Sequence, residues 1–260
     1  MRYQIVDVFS DVPLSGNALC VVLDACAPSQ MQALAREVNL SETTFPTITA
    51  AGSYTNRIFT PTTELSFAGH PTLGTAFVLG PGRWQQTTSG ATVTVEVDDE
   101  GARMSQPDPE IEQVDVPTLE RALDVTQMIG AYEAQIGGVR FLIAPVDGAI
   151  GDATPNQLEL ARLSVERSLT GVAMIERLDD QRVHVRVFVP SAGIAEDPGT
   201  GGVAGAIGVL AGDLWGTAAD LTLFQGAEVG RPCRIEVHGR RGAVRVGGRV
   251  ARCATGTFTL

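Results

Sequence analysis

The sequence contains no lysine: all 19 of its basic residues are arginine. That absence removes two large classes of chemistry. A pyridoxal phosphate enzyme holds its cofactor as a lysine Schiff base, and a Walker-type phosphate loop needs its lysine against the phosphates. Cysteine is scarce as well. Cys20, Cys26, Cys233 and Cys253 fit no Cys-x-x-Cys spacing, and scattered cysteines of this kind read as small buried apolar residues. His70, His184 and His238 lie far apart with no second ligand nearby, so no metal site is expected. No apolar run approaches the roughly 18–20 residues that span a bilayer. The N-terminus has neither the basic nor the apolar region of a signal peptide, and a soluble, cytoplasmic protein is expected. A basic surface is missing too. The net charge is −11, and Arg240-Arg241 is the one basic pair that stands out; it reads as a polar hairpin turn. Nucleic acid, which needs a basic face, is not an expected partner.

What is there is a repeat. The 260 residues are 44% hydrophobic, enough for one large core or two domains of about 100–150 residues. His70-Pro71-x-x-Gly74 matches Asp197-Pro198-x-x-Gly201, and 197 − 70 = 127. Pro28-Ser29-Gln30-Met31 matches Pro155-Asn156-Gln157-Leu158 at the same offset, 155 − 28 = 127. Two copies of one unit placed face to face make a cleft, and the differences between the copies mark the candidate active site. The expected domains are 1–117 and 118–260, with the last strand, 250–260, free to cross back to the first. Residues 106–126, rich in Pro, Asp and Glu, are the expected linker.

The patterning supports strands near 3–9, 19–24, 41–49 and 55–60 in the first half. A helix is expected at 29–39, with Ser29 as its cap. A short apolar helix is expected at 70–79, with Pro71 in its first position. Residues 92–97 and 101–105 read as a hairpin. The second half repeats the order. Strands are expected near 139–144, 171–176 and 183–189, and a helix at 155–167 capped by Thr154. A Gly/Ala-rich apolar helix is expected at 198–211. A hairpin of 234–237 with 243–246 follows, and then a last strand at 250–259. Each half is therefore mostly β with one small-residue helix, and a sheet curled around that helix would bury it.

The first turn of a helix presents free backbone N–H groups and partial positive charge, a seat for an anion that needs no side chain. Two such starts, at Gly69–Leu73 and Pro198–Gly202, would point at one ligand across the cleft. Gly201 and Gly202 would let it approach the backbone. The side chains there differ between copies. His70 stands at one start and Asp197 at the other, and Glu42 in Ser41-Glu42-Thr43 has Leu169 as its counterpart (169 − 42 = 127). A lone carboxylate entering an apolar strand has its pKa raised by burial, which suits a base that must also return the proton. The residues alone leave simpler roles open: Glu42 as an arginine's partner or helix-end cap, His70 and Asp197 as caps.

Taken together, Gly16-Asn17, Ser41-Glu42-Thr43, Phe67-Ala68-Gly69-His70-Pro71-Thr72-x-Gly74 and Glu196-Asp197-Pro198-x-Thr200-Gly201 resemble the phenazine-biosynthesis PhzF-like isomerases. These motifs are spread from the N-terminus to about residue 210. The resemblance implies an α+β, diaminopimelate epimerase-like fold: two pseudo-symmetric β-barrel-like domains, each wrapped around a central helix, in a chain that forms a homodimer. It implies a cofactor-independent, metal-free isomerase that shifts a proton and a double bond in a small carboxylate, resembling the isomerisation of trans-2,3-dihydro-3-hydroxyanthranilate. By the same resemblance the catalytic residues are Glu42, His70 and Asp197, and the substrate-binding residues are Asn17, Gly69, Gly201 and Gly202. Where the family's phenazine enzyme has a serine that helps with substrate, this sequence has Gly202, which keeps the N–H and loses the hydroxyl. Related racemases place two cysteines at the helix starts, and here His70 and Asp197 stand instead. A single-base epimerase and a non-catalytic ligand-binding protein are the alternatives on the same fold.

Overall fold

The computed structural model describes residues 1–259. The first half runs β1 (Arg2–Val8), β2 (Asn17–Val22), α1 (Pro28–Val38), β3 (Glu42–Ala50), β4 (Ser53–Phe59), β5 (Glu64–Leu65), α2 (Gly69–Leu79), β6 (Gly82–Thr87), β7 (Thr92–Val97) and β8 (Gly101–Ser105). The second runs β9 (Glu110–Val114), α3 (Leu119–Leu123), β10 (Ala131–Ile136), β11 (Val139–Val146), α4 (Gln157–Glu166), β12 (Gly171–Arg177), β13 (Arg182–Val189), β14 (Ile194–Asp197), α5 (Gly201–Trp215), β15 (Asp220–Gln225), β16 (Cys233–His238) and β17 (Arg245–Thr257).

Each half contains two parallel crossovers, β2–α1–β3 and β4–α2–β6 in the first, β11–α4–β12 and β13–α5–β15 in the second. The pairing closes on itself. Strands β1, β2, β3, β4, β6, β7 and β8 are hydrogen-bonded in sequence, and β17 joins β8 back to β1. In the other half β9 pairs with β10, and the ladder continues through β11, β12, β13, β15 and β16 to the first residues of β17. Closure of this kind removes the exposed edges that a curled sheet would otherwise present.

Inside the curl lie α2 and α5. Gly69–Phe77 of α2 and Gly201–Ala211 of α5 are buried without exception, as expected of helices that are apolar all round. Leu73, Ala76 and Phe77 pack among Val6, Val8, Leu19 and Val21, while Val203, Ile207 and Leu210 pack among Val185, Leu223, Ile235 and Val237. The fit is close: a Cβ on Gly74 would lie 2.6 Å from Leu19 Cδ2. Outside, α1 lays Met31, Leu34 and Ala35 on Cys20, Val22, Phe45 and Phe59. In the other half α3 and α4 lay Leu119, Leu123, Leu160 and Leu163 on Leu142, Val172, Met174 and Phe188.

The structure keeps the repeat and corrects its register. Glu42 lies beside Leu19 as Gly171 lies beside Phe141, and Thr43 faces Phe59 as Val172 faces Phe188. The strand offset is therefore 171 − 42 = 129, and the counterpart of Glu42 is Gly171, not Leu169. The central helices begin at Gly69 and Gly201, and 201 − 69 = 132. His70 thus stands opposite Gly202. Asp197, which pairs with Val187 as Leu65 pairs with Ile58, stands opposite Leu65. Proline caused the misalignment, because it is tolerated both just before a helix and within its first turn: Pro28 and Pro71 lie inside their helices, while Pro155 and Pro198 precede theirs.

Other expectations shift for similar reasons. The N-cap of α1 is Ala27 rather than Ser29, with Pro28 in the first turn. The N-cap of α4 is Asn156 rather than Thr154, its side chain accepting from the N–H groups of Leu158 and Glu159. The fifth helix spans 201–215, not 198–211. The expected linker, 106–126, contains β9 and α3. Its strand pairs fully with β10 and turns Ile111 inward while its glutamates face water, so its polar composition hid a half-buried edge.

Candidate active site

Glu42 is the first residue of β3. Alternate strand residues share a face, so Glu42 points with Thr44, whose hydroxyl lies 2.8 Å from that of Thr75 on α2. Phe45 points outward to α1. His70 is the second residue of α2, and Asp197 ends β14. The three come from different elements and meet under a cavity. Their exposures are 6%, 4% and 6%.

His70 Nε2 is 3.1 Å from Glu42 Oε2, but the two atoms are not aligned as donor and acceptor, and neither has another hydrogen-bond partner. Unpartnered buried polar atoms are rare and need a reason. On the far side, the amide nitrogen of Asn17 lies 3.2 Å from His70 Nδ1, and it donates to Asp197 Oδ1 at 2.9 Å and to the Gly199 carbonyl at 3.0 Å. Thr200 donates its hydroxyl proton to Asp197 Oδ2 at 2.5 Å. Both oxygens of Asp197 are thus held, and the unpartnered atoms of the cluster are Glu42 Oε2 and His70 Nε2 at the cavity and Asn17 Oδ1 behind them.

Burial dominates the electrostatics. It raises the Glu42 carboxyl well above its usual 4.5, and the charge of Asp197 raises it further. Burial also raises Asp197, against the hydrogen bonds from Thr200, Asn17 and Gly199 that lower it. His70 is pushed down to about 3 by burial, with a hydrogen bond to the backbone of Ala18 working the other way. The imidazole is therefore neutral at pH 7, able to donate at one nitrogen and accept at the other. A carboxyl poised well above its ordinary range beside a neutral imidazole suits proton transfer in both directions.

The two central helices meet start to start. A Cβ on Gly69 would sit 2.6 Å from the Gly202 nitrogen and 2.7 Å from the Gly201 carbonyl carbon. No side chain caps either helix. Two positive helix ends in contact, both uncapped, repel one another unless an anion lies between them. Gln106 fixes the second start by donating to the Gly201 carbonyl at 2.8 Å.

Above these groups opens a cavity of about 270 Å³. Glu42, His70, Asp197, Gly69, Gly201 and Gly202 line it together with the apolar side chains of Leu65, Phe67, Val139, Phe141, Val189 and Ile194. Among the described residues no arginine lines it, and the donors available to a carboxylate are the backbone N–H groups of the helix starts and, around them, the hydroxyls of Thr63, Ser66, Thr170 and Ser191. Six of the seven residues singled out in the sequence border this space. Asn17 does not: it is fully buried behind His70 and Asp197, against which its amide nitrogen lies. Folding also brings Cys233 up behind the Asp197 turn, where a Cβ on Gly199 would lie 2.7 Å from its Sγ. Its thiol is buried and its pKa is raised, chiefly by burial, far from the thiolate that a cysteine racemase needs.

Comparison with known sequences rests on nearly the whole chain. The family described as phenazine biosynthesis-like protein matches residues 6–256. The chain belongs to this family. The trans-2,3-dihydro-3-hydroxyanthranilate isomerase of Pseudomonas fluorescens is 34% identical over 249 residues, covering 89% of this chain and 87% of its own length. Among solved structures, a predicted epimerase of Pseudomonas aeruginosa superposes with a TM-score of 0.85 at 29% identity, covering 100% of this chain and 99% of its own. A PhzF-family phenazine biosynthesis protein of Bacillus anthracis gives 0.87 at 21% identity with the same coverage, which shows the shared fold. Several curated relatives are named isomerases, and this member of the family is an isomerase.

Proposed function

We propose that this isomerase shifts a proton and a double bond in a small cyclic or unsaturated amino-acid-like carboxylate, with trans-2,3-dihydro-3-hydroxyanthranilate or a close analogue as substrate. The observation that carries this reading is the unpartnered pair Glu42 Oε2 and His70 Nε2, facing a cavity floored by two uncapped helix starts. The substrate's carboxylate sits on the N–H groups of those starts. Ionised Glu42 takes a proton from carbon, the freed electron pair becomes a new double bond, and the existing double bond moves one place. The displaced electrons collect a proton at a second carbon from the now protonated Glu42. Charge that spreads onto the carboxylate in between is stabilised by N–H groups already in place. His70 holds the substrate or the travelling proton within reach of Glu42, and Asp197, with both oxygens engaged, orients the cluster. One free carboxylate makes this a one-base process, and Glu42 supplies base and acid in turn.

Incubation with trans-2,3-dihydro-3-hydroxyanthranilate, followed by NMR, tests the substrate. Conversion by the wild type and not by a Glu42→Gln variant is the expected result. Binding without conversion would move the substrate to another carboxylate, and failure to bind any small cyclic carboxylate would overturn the helix-start seat.

A further inference from the structure

Thr200 is the N-cap of α5, a position at which threonine usually turns its hydroxyl back to accept from the second or third N–H of the helix. It does not do so here. Its hydroxyl instead donates to Asp197 Oδ2. The reason lies at the end of β15, in Gln225, which is 3% exposed and does not line the cavity. The Gln225 amide is engaged at both N–H groups and at its carbonyl. Its carbonyl accepts from the Thr200 N–H at 3.1 Å, and its nitrogen donates to the Asp197 carbonyl at 2.7 Å and to Thr200 Oγ1 at 3.0 Å. A flipped amide would set N–H against N–H and oxygen against oxygen, so its orientation is fixed. Because Thr200 Oγ1 accepts from Gln225, its own hydrogen points away from that amide, and Asp197 Oδ2 receives it.

We propose that Gln225 is a positioning residue that diverts the Thr200 hydroxyl from capping α5, leaving the N–H of Gly202, beside that of Gly201, to the substrate's carboxylate and supplying Asp197 with its second donor. This rests on the reading of the helix starts as the carboxylate's seat. Gln225 touches no substrate and acts through Thr200 and Asp197. In its absence Thr200 rotates, caps its own helix and competes with the ligand for the Gly202 N–H.

The probe is anthranilate, a stable aromatic carboxylate. Calorimetry and ¹⁵N amide spectra of wild type, Gln225→Leu and the double variant Gln225→Leu/Thr200→Val give the test. In the wild type, anthranilate is expected to shift and protect the Gly201 and Gly202 amides. Gln225→Leu should bind it about tenfold more weakly, a typical loss for one charge-assisted hydrogen bond, with the Gly202 amide already shifted before ligand is added. The double variant should bind more tightly than Gln225→Leu, because no hydroxyl remains to compete. A merely structural role predicts the opposite order, and a double variant weaker than the single would overturn the proposal. If Gln225→Leu does not fold, Gln225→Met with the same amide readout decides. Anthranilate leaving the Gly201 and Gly202 amides of the wild type unmoved would sink the carboxylate seat itself, and this proposal with it. Binding at those amides that is indifferent to Gln225 would sink the proposal alone.

Discussion

From β10 onward the second half of the chain repeats the first half's order of strands and helices, yet the two bring different things to the cavity. The first half brings Glu42 and His70, and the second has Gly171 and Gly202 in the equivalent places. The second brings Asp197, opposite Leu65 of the first. What both bring alike is backbone: a buried, uncapped helix start. On the proposed mechanism the symmetric part of the fold supplies binding, through N–H groups that any sequence offers, and the asymmetric part supplies chemistry, through side chains that only one copy carries. On that mechanism a duplicated fold obtains a two-sided anion seat from its topology and needs only one copy to carry a base.

Removing the base should break that division most severely. Glu42→Gln is expected to lower kcat about 10³-fold, the range typical of a lost general base, while substrate binding changes by less than about threefold; steady-state kinetics with calorimetry check both. The wild-type pH profile sharpens the same point. Loss of kcat/KM on the acid side should follow the raised Glu42 carboxyl, well above the 4.5 of an ordinary glutamate. A limb at the ordinary value would mean that another group titrates.

The two helix starts can be compared by adding one methyl to each. Gly69→Ala drives a Cβ into the Gly202 nitrogen, and displacement of the seat by about 1 Å should lower kcat/KM about 10²-fold. Gly202→Ala meets only Phe141 Cε2 at 3.9 Å, and a loss below about fivefold is expected. Equal losses would deny that the two starts meet where they do. Asn17→Ala removes donors to Asp197 and Gly199 and should lower kcat about tenfold with little change in KM, as fits a group behind the site; a KM effect alone would return Asn17 to the substrate.

The smallest effect is on stability. Burial favours the neutral form of Glu42, so the fold pays no penalty below the unfolded carboxyl pKa and a growing one as pH rises through the folded value. Glu42→Gln removes that penalty. Its Tm should match the wild type at pH 4 and exceed it at pH 8 by roughly 2–4 °C, for a gain of about 1 kcal/mol in a chain of this size. Thermal unfolding at the two pH values reads the sign.

Much of this site was legible because the sequence set charged or titratable residues at the edges of apolar segments. Glu42 opens a strand, His70 stands second in a helix whose other residues carry no charge, and Asp197 ends a strand before Pro198-Gly199. The seat was legible for the same reason, as two small-residue helices with glycine at their starts. The register was not, because proline marks helix starts from either side. Nor were β6, β10 and β15: β6 reads Gly-Arg-Trp-Gln-Gln-Thr, and its Gln86 is fully buried on the hydroxyl of Thr72, so alternation there is not hydrophobic. Asn17 was named by its motif, but Gln106 and Gln225 act through partners 95 and 25–28 residues away. Nothing local distinguishes them from any other amide, and only the fold reveals what they hold.

The most direct test of the asymmetry is a time course in D₂O with trans-2,3-dihydro-3-hydroxyanthranilate, comparing the wild type with Glu42→Gln by ¹H NMR. The account predicts conversion by the wild type, with any deuterium entering at the one newly protonated carbon, and no conversion by a Glu42→Gln protein that still binds the compound. Turnover by Glu42→Gln within tenfold of the wild type would contradict it, because a second base would then exist in a cavity where Asp197 is already held and the equivalent of Glu42 is a glycine.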